Sequence, residues 1–134
     1  MALGILTRAL QMAIDWSQER VTYGRPIADR QAIQWMLADM ATQVNAARLI
    51  TYQAADKKER GEPFGRESAM AKLFASEIAG QVTSKALQIH GGYGYFKESP
   101  VERYFRDAKV TEIYEGTSEV QRLVISRDLI KSGL

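Results

Sequence analysis

The sequence has no cysteine and a single histidine, His90. Disulfides and thiolate metal sites are therefore excluded, and an intracellular setting fits that usage. One histidine also leaves no His-rich metal site and speaks against a Ser-His triad. An excess of one charge is missing too: 18 basic residues face 16 acidic ones, a net charge of +2. Nothing in that balance calls for nucleic acid as a partner. No apolar run is long enough to cross a membrane, so no membrane insertion is expected. Repeats, linkers and low-complexity tracts are absent, and no segment reads as a strand longer than a few residues. The start, Met1 to Arg8, lacks the charged n-region of a signal peptide and flows into an amphipathic helix. That helix opens without a cap of its own, so the natural chain is expected to continue upstream.

What remains is helix. At 134 residues, one domain spanning 1–134 is expected, with room for a sizeable core. Leu3, Leu6, Leu10, Ala13 and Ile14 recur at helical intervals over about residues 3–23, before Gly24 and Pro26. Asp29 is the expected cap of a second helix with the stripe Ile33, Leu37, Met40, Val44, Ala47, Thr51 and Ala54. It runs to about Glu59, where Gly61 and Pro63 stop it, giving roughly 45 Å of helix. Trp35 and Met36 lie off the stripe and open the way to a second apolar face. A third helix follows Gly65, with Ser68 or the preceding loop as its cap. Its stripe is Met70, Phe74, Ile78, Val82, Ala86 and Ile89, widened by Leu73 and Leu87. Gly91 and Gly92 end it and lead into a glycine-rich turn, Gly91 to Phe96. That turn is no dinucleotide fingerprint: the third glycine is missing and a helix precedes it. Ser99, Pro100 and Glu102 predict a capping box for a short helix ending near Lys109. The last helix, about Ser118 to Lys131, is expected to bury Val120, Leu123, Val124 and Ile130. The fold class read from this is all-α: an up-down four-helix bundle with one short extra helix.

The loop between the last two helices carries the most chemistry. Glu115 sits beside Gly116, just before a helix start that Thr117 or Ser118 can cap. A lone acid in a loop is most often a solvated surface group. A carboxylate at a helix N-terminus is favoured in its ionised form, whereas burial against an apolar ligand would push its pKa up. Arg20 with Thr22 can hold a phosphate or be a solvated helix end. His90 can face a ligand or satisfy the last carbonyls of its helix. Gln31 and Gln88 can cap or bind. Periodicity and spacing name no reaction.

The motifs together resemble the acyl-CoA dehydrogenases. The stretch Tyr114-Glu115-Gly116-Thr117-Ser118-Glu119-Val120-Gln121-Arg122 is similar to the signature near the end of that family. So are Gln88-Ile89-His90-Gly91-Gly92-Tyr93-Gly94-Tyr95, Pro100-Val101-Glu102-Arg103 and Arg106-Asp107-Ala108-Lys109. Upstream, Glu19-Arg20-Val21-Thr22-Tyr23-Gly24-Arg25-Pro26-Ile27 with Gln31-Ala32-Ile33 is similar as well. These blocks keep the family's order across nearly the whole chain.

The resemblance implies the C-terminal four-helix bundle of an acyl-CoA dehydrogenase, the last third of a larger subunit. Its N-terminal helical domain and middle β-domain are absent from this chain. It implies FAD as cofactor and an acyl-CoA thioester as substrate, desaturated between its α and β carbons. An electron-transferring flavoprotein as electron acceptor and a homotetramer are implied too. Glu115 matches the catalytic base that takes the α-proton, while the β-hydrogen leaves as hydride to the flavin. Gly116 matches a residue lying against substrate. Thr117, Ser118 and Glu119 match one FAD-contacting segment, and Arg20, Val21 and Thr22 a second. Arg30 with Gln31 matches a third, and Gln88, Ile89, His90, Gly91 and Gly92 a fourth. In the family several of these contacts reach the FAD of a neighbouring subunit. A glutamate at 115 fits the short- and medium-chain arrangement, since some relatives carry the base on an earlier helix. Two positions depart from the usual pattern: some members have glutamine at Glu119, and a smaller or apolar residue is common at His90. The implied setting is the cytoplasm for a bacterial protein and the mitochondrial matrix for a eukaryotic one. The isolated chain is expected to be inactive. The competing readings are an assembly bundle without activity and an acyl-CoA oxidase-type relative.

Overall fold

The computed structural model describes residues 1–133. Its order is α1 (Ala2–Glu19), a hairpin of β1 (Val21–Thr22) and β2 (Arg25–Pro26), a 3₁₀ turn (Ile27–Asp29), α2 (Gln31–Glu59) and α3 (Gly65–His90). Then come the single-turn α4 (Gly92–Tyr95), α5 (Pro100–Val110) and α6 (Ser118–Ser132). The fold is all-α, with α1, α2, α3 and α6 as the long helices of the bundle. No helix among the described residues is long and apolar enough to cross a membrane.

α3 is the axis, and it touches α1, α2, α5 and α6. Its buried residues are not one stripe. Ala69, Ala71, Ala75, Ser76, Ala79, Thr83 and Ala86 are buried along with Ile78, Val82 and Ile89. A helix that buries residues on every side is a central one. The expected stripe residues Met70, Phe74, Leu73 and Leu87 are only half-buried. The alanines win because short side chains let neighbouring helices come close, a role that carries little hydropathy signal. The core draws Ile5, Leu6, Ala9 and Ala13 from α1, Met40, Val44 and Ala47 from α2, and Val101 and Ala108 from α5.

Several boundaries differ from the sequence reading. α1 stops at Glu19, short of residue 23, because Arg20 is extended. Tyr23 and Gly24 then take positive φ values of 51° and 80°. Two successive left-handed residues make the tight hairpin turn that pairs Val21 with Pro26 and Thr22 with Arg25. Asp29 does not cap α2: it lies in the 3₁₀ turn, and Arg30 is the N-cap, with no side-chain bond. At the other end, Gly61 (φ 70°) closes α2 as read. Gly61 N–H donates to Lys58 O and Glu62 N–H to Lys57 O, a Schellman closure. Ser68 is inside α3 rather than its cap, which is Phe64. The Ser99 hydroxyl makes no cap bond, and the Glu102 carboxylate pairs with Arg106 instead. The glycine-rich turn contains a helical turn, α4.

The largest correction concerns α6. Of its described residues only Ser118 is buried. Leu123 is 51% exposed and Ile130 87%, and Val120 and Val124 are open as well. A periodic apolar pattern says that a face exists, not that a neighbour in the same chain covers it. Polar clasps hold α6 to α3 instead. Arg122 pairs with Glu77 at 2.6 Å, and Arg66 pairs with Asp128 at 3.3 Å and donates to Gly133 O at 2.6 Å. Trp35, the off-stripe aromatic of α2, is likewise 63% exposed.

Candidate active site

Glu115 stands on the turn that links α5 to α6. α5 unwinds through Ile113 N–H and Tyr114 N–H, both donating to Val110 O. Glu115 then takes φ 52° and Gly116 φ 92°. A left-handed conformation is rare for a residue with a Cβ, so the chain holds this acid against its own backbone preference. Thr117 starts α6: its hydroxyl accepts from Val120 N–H at 3.4 Å. Ser118 N–H reaches back to Glu112 O at 3.1 Å. The Ser118 hydroxyl is buried and has no hydrogen-bond partner. Bonds from its own backbone N–H and from the Thr117 hydroxyl hold the Glu119 carboxyl below the usual carboxylate range.

Glu115 itself is exposed, and it lines a cavity of about 400 Å³. The walls are mainly small and apolar, among them Ala54, Ala71, Ala75, Phe64 and Leu3. Lys72 also lines it, and its Nζ is closed off from solvent with no hydrogen-bond partner. Nothing in the sequence marks Lys72, since one lysine on a long helix gives no signal of where its amine ends.

A second cleft, of about 380 Å³, gathers Arg20, Thr22, Ile89, His90, Gly91 and Gly92 from two distant stretches of chain. Two aromatic rings that the sequence reading did not single out, Trp16 and Tyr93, help build its wall. Trp16 stacks on His90 with ring centroids 5.2 Å apart, and Tyr93 lies 5.3 Å from Trp16. The Arg20 guanidinium sits 5.2 Å from the Tyr93 ring centroid. His90 Nδ1 lies 2.8 Å from Ala86 O. A carbonyl can only accept, so that nitrogen carries the hydrogen. His90 thus serves its helix end and the cleft at once. Ile89 belongs to the core as well as to the cleft wall. Arg30 is tied to this region, donating from Nη2 to Thr22 O at 2.8 Å. Val21, Gln31 and Gln88 are exposed nearby in sequence.

The two sites do not meet. The Glu115 cavity uses α3 only as far as Ser76, and the second cleft uses it from Ile89 onward. Those residues are about 20 Å apart along the helix. Arg20, Thr22 and His90 are brought together, and Glu115 with Gly116, Thr117, Ser118 and Glu119 forms a separate group. A cationic guanidinium, a hydroxyl, aromatic faces and open glycine backbone suit the phosphate and ring portions of a nucleotide cofactor.

Comparison with known proteins identifies the chain. Residues 1–130 match the family model for the acyl-CoA dehydrogenase C-terminal domain. The acyl-CoA dehydrogenase of Bacillus subtilis is 56% identical over 129 residues, 96% of this chain and 34% of that protein. The acryloyl-CoA reductase (NADH) of Anaerotignum propionicum is 54% identical over 130 residues, 97% of this chain and 33% of that protein. Among solved structures, butyryl-CoA dehydrogenase from Megasphaera elsdenii superposes with a TM-score of 0.95 at 50% identity, over 96% of this chain and 34% of that one. The chain thus spans about a third of the length of these relatives.

Proposed function

Because this chain belongs to the acyl-CoA dehydrogenase family as its C-terminal domain, we propose that it carries the base of an FAD-dependent α,β-desaturation of acyl-CoA thioesters. The observation that carries the proposal is Glu115, held left-handed at φ 52° on the wall of an apolar cavity. An α-proton of a thioester is weakly acidic, so its removal needs a positioned base. The Glu115 carboxylate takes that proton. The electron pair left behind forms the new double bond as the β-hydrogen departs with its own pair. Bound FAD supplies the acceptor for that hydride. Arg20, Thr22 and His90 with Gly91 and Gly92 would hold phosphate and ring portions of one FAD, and Thr117, Ser118 and Glu119 would touch a second FAD at the other site.

The separation of about 20 Å between the two sites supports a reading in which they serve different flavins of a homo-oligomer. The open apolar residues of α6 and α2 support the same reading, since an assembly covers such faces. A pure assembly bundle is the second reading, and it rests on those faces alone. An electron-transferring flavoprotein is the proposed electron acceptor.

In the flavin-loaded enzyme, Glu115→Gln is expected to lower turnover by roughly 10²–10⁴-fold while the flavin absorbance stays unchanged. Retention of most turnover would remove Glu115 as the base. A flavin-free, inactive assembled protein would leave the assembly reading.

A further inference from the structure

We propose that Gln121 is a positioning residue for Glu115: its side-chain amide clamps the left-handed turn that presents the carboxylate. The inference rests on the reading of Glu115 as the base. Glu115 and Gly116 are consecutive left-handed residues, at φ 52° and 92°. A residue with a Cβ persists in that region only where its surroundings over-determine it. The local backbone ladder does little of this. α5 ends in bonds from Ile113 and Tyr114 N–H to Val110 O, and the next backbone bonds are Ser118 N–H to Glu112 O and Gln121 N–H to Thr117 O. Between them, Gln121 Nε2 donates to Gly116 O at 3.1 Å and to Glu115 O at 3.4 Å. One amide thus ties down both carbonyls of the strained pair.

The clamp has a fixed anchor. Gln121 lies in the first turn of α6, whose start is capped by Thr117 accepting from Val120 N–H. It also has a fitted seat. A Cβ on Gly116 would fall 2.6 Å from Gln121 Nε2, so the amide occupies the space that any other side chain at 116 would need. Glycine is favoured there for its positive φ, and a Cβ would push the flexible Gln121 amide out of its clamping place. Without the donor, both carbonyls lose their tie and the turn is free to relax toward right-handed φ. The carboxylate then leaves the position in which it meets the α-carbon.

The test uses the flavin-loaded, assembled enzyme. Gln121→Met keeps the length of the side chain and removes the donor. It is expected to lower kcat by roughly 10- to 100-fold, with KM and the flavin spectrum unchanged. Exchange of the substrate α-hydrogen with D₂O should fall in parallel. Gln121→Lys restores a donor of similar reach and is expected to recover most of both rates. A Gln121→Met enzyme with kcat within threefold of wild type overturns the clamp. Equal losses in the Met and Lys variants, with flavin lost from both, overturn it as well, because a general folding defect then accounts for them. Glu115→Gln is measured alongside. If it keeps its turnover, the base reading falls and takes the clamp with it. If it is inactive while Gln121→Met is fully active, only the clamp falls.

Discussion

Replacing Gly94 by alanine is expected to destabilise the protein by about 2 kcal/mol, the balance of two opposed effects. Gly94 lies in α4, folded back on the end of α3. An added Cβ would stand 2.7 Å from His90 Cβ, 3.0 Å from Leu87 O and 3.3 Å from Val101 Cγ1. Neither of the two nearest atoms can swing away, because one is a Cβ and the other a backbone carbonyl of α3. Overpacking of this kind costs about 3 kcal/mol at the upper end of its usual range. Alanine gains up to about 1 kcal/mol over glycine in a helix, which leaves the net figure. With an unfolding entropy of about 2.1 cal/mol/K per residue, 2 kcal/mol lowers Tm by roughly 7 °C at this chain length. Thermal unfolding followed by far-UV circular dichroism measures it. Near-UV signals should change too, since the displaced His90 is stacked on Trp16. The control is the same substitution at Gly4 in α1, where an added Cβ meets nothing within 4 Å. There alanine is expected to stabilise by about 0.5–1 kcal/mol. A Gly94→Ala protein as stable as wild type would refute the close approach of α4 to α3.

Leu6→Ala is expected to cost about 2–5 kcal/mol in urea unfolding, because Leu6 is fully buried. In the isolated chain Ile130→Ala is expected to stay within about 0.5 kcal/mol, because there that side chain is open to solvent. Glu67→Gln should show a pH signature. The Lys57 ammonium hydrogen-bonded to Glu67 holds its carboxyl below the usual range, so the folded pKa lies under the unfolded one. The stabilisation is then present at neutral pH and is lost as the pH falls from about 4.5 through the lowered folded value. The variant is expected to be about 1–2 kcal/mol less stable than wild type at pH 7, and urea titrations at pH 7 and pH 3 should show that gap closing.

Helix existence was legible wherever apolar spacing and a strong stop signal agreed. α2 ends at Glu59 as its Gly61 and Pro63 signal required. Capping was read less well. Asp29, Ser68 and Ser99 have suitable side chains, but the chain enters α2, α3 and α5 in geometries where those side chains do not reach the free N–H groups. The order Glu115, Gly116, Thr117 marked a turn and a cap, and Thr117 does cap α6. Gln121 belongs to the same stretch, but a glutamine on a helix carries no sign that it folds back on the preceding turn.

By itself the sequence determined the helical content, the helix stops at glycine and proline, and the family, through blocks whose order and spacing are specific. Those properties live in local backbone preference and in residue identity along the chain. Only the tertiary structure decided which faces are buried and which groups share a site. It made the alanine-rich α3 the axis and left the apolar residues of α6 open. It gathered Arg20, Thr22 and His90 into one cleft and set them about 20 Å along α3 from the Glu115 cavity. Burial and proximity depend on what lies across from a residue, and residues far apart in sequence supply that.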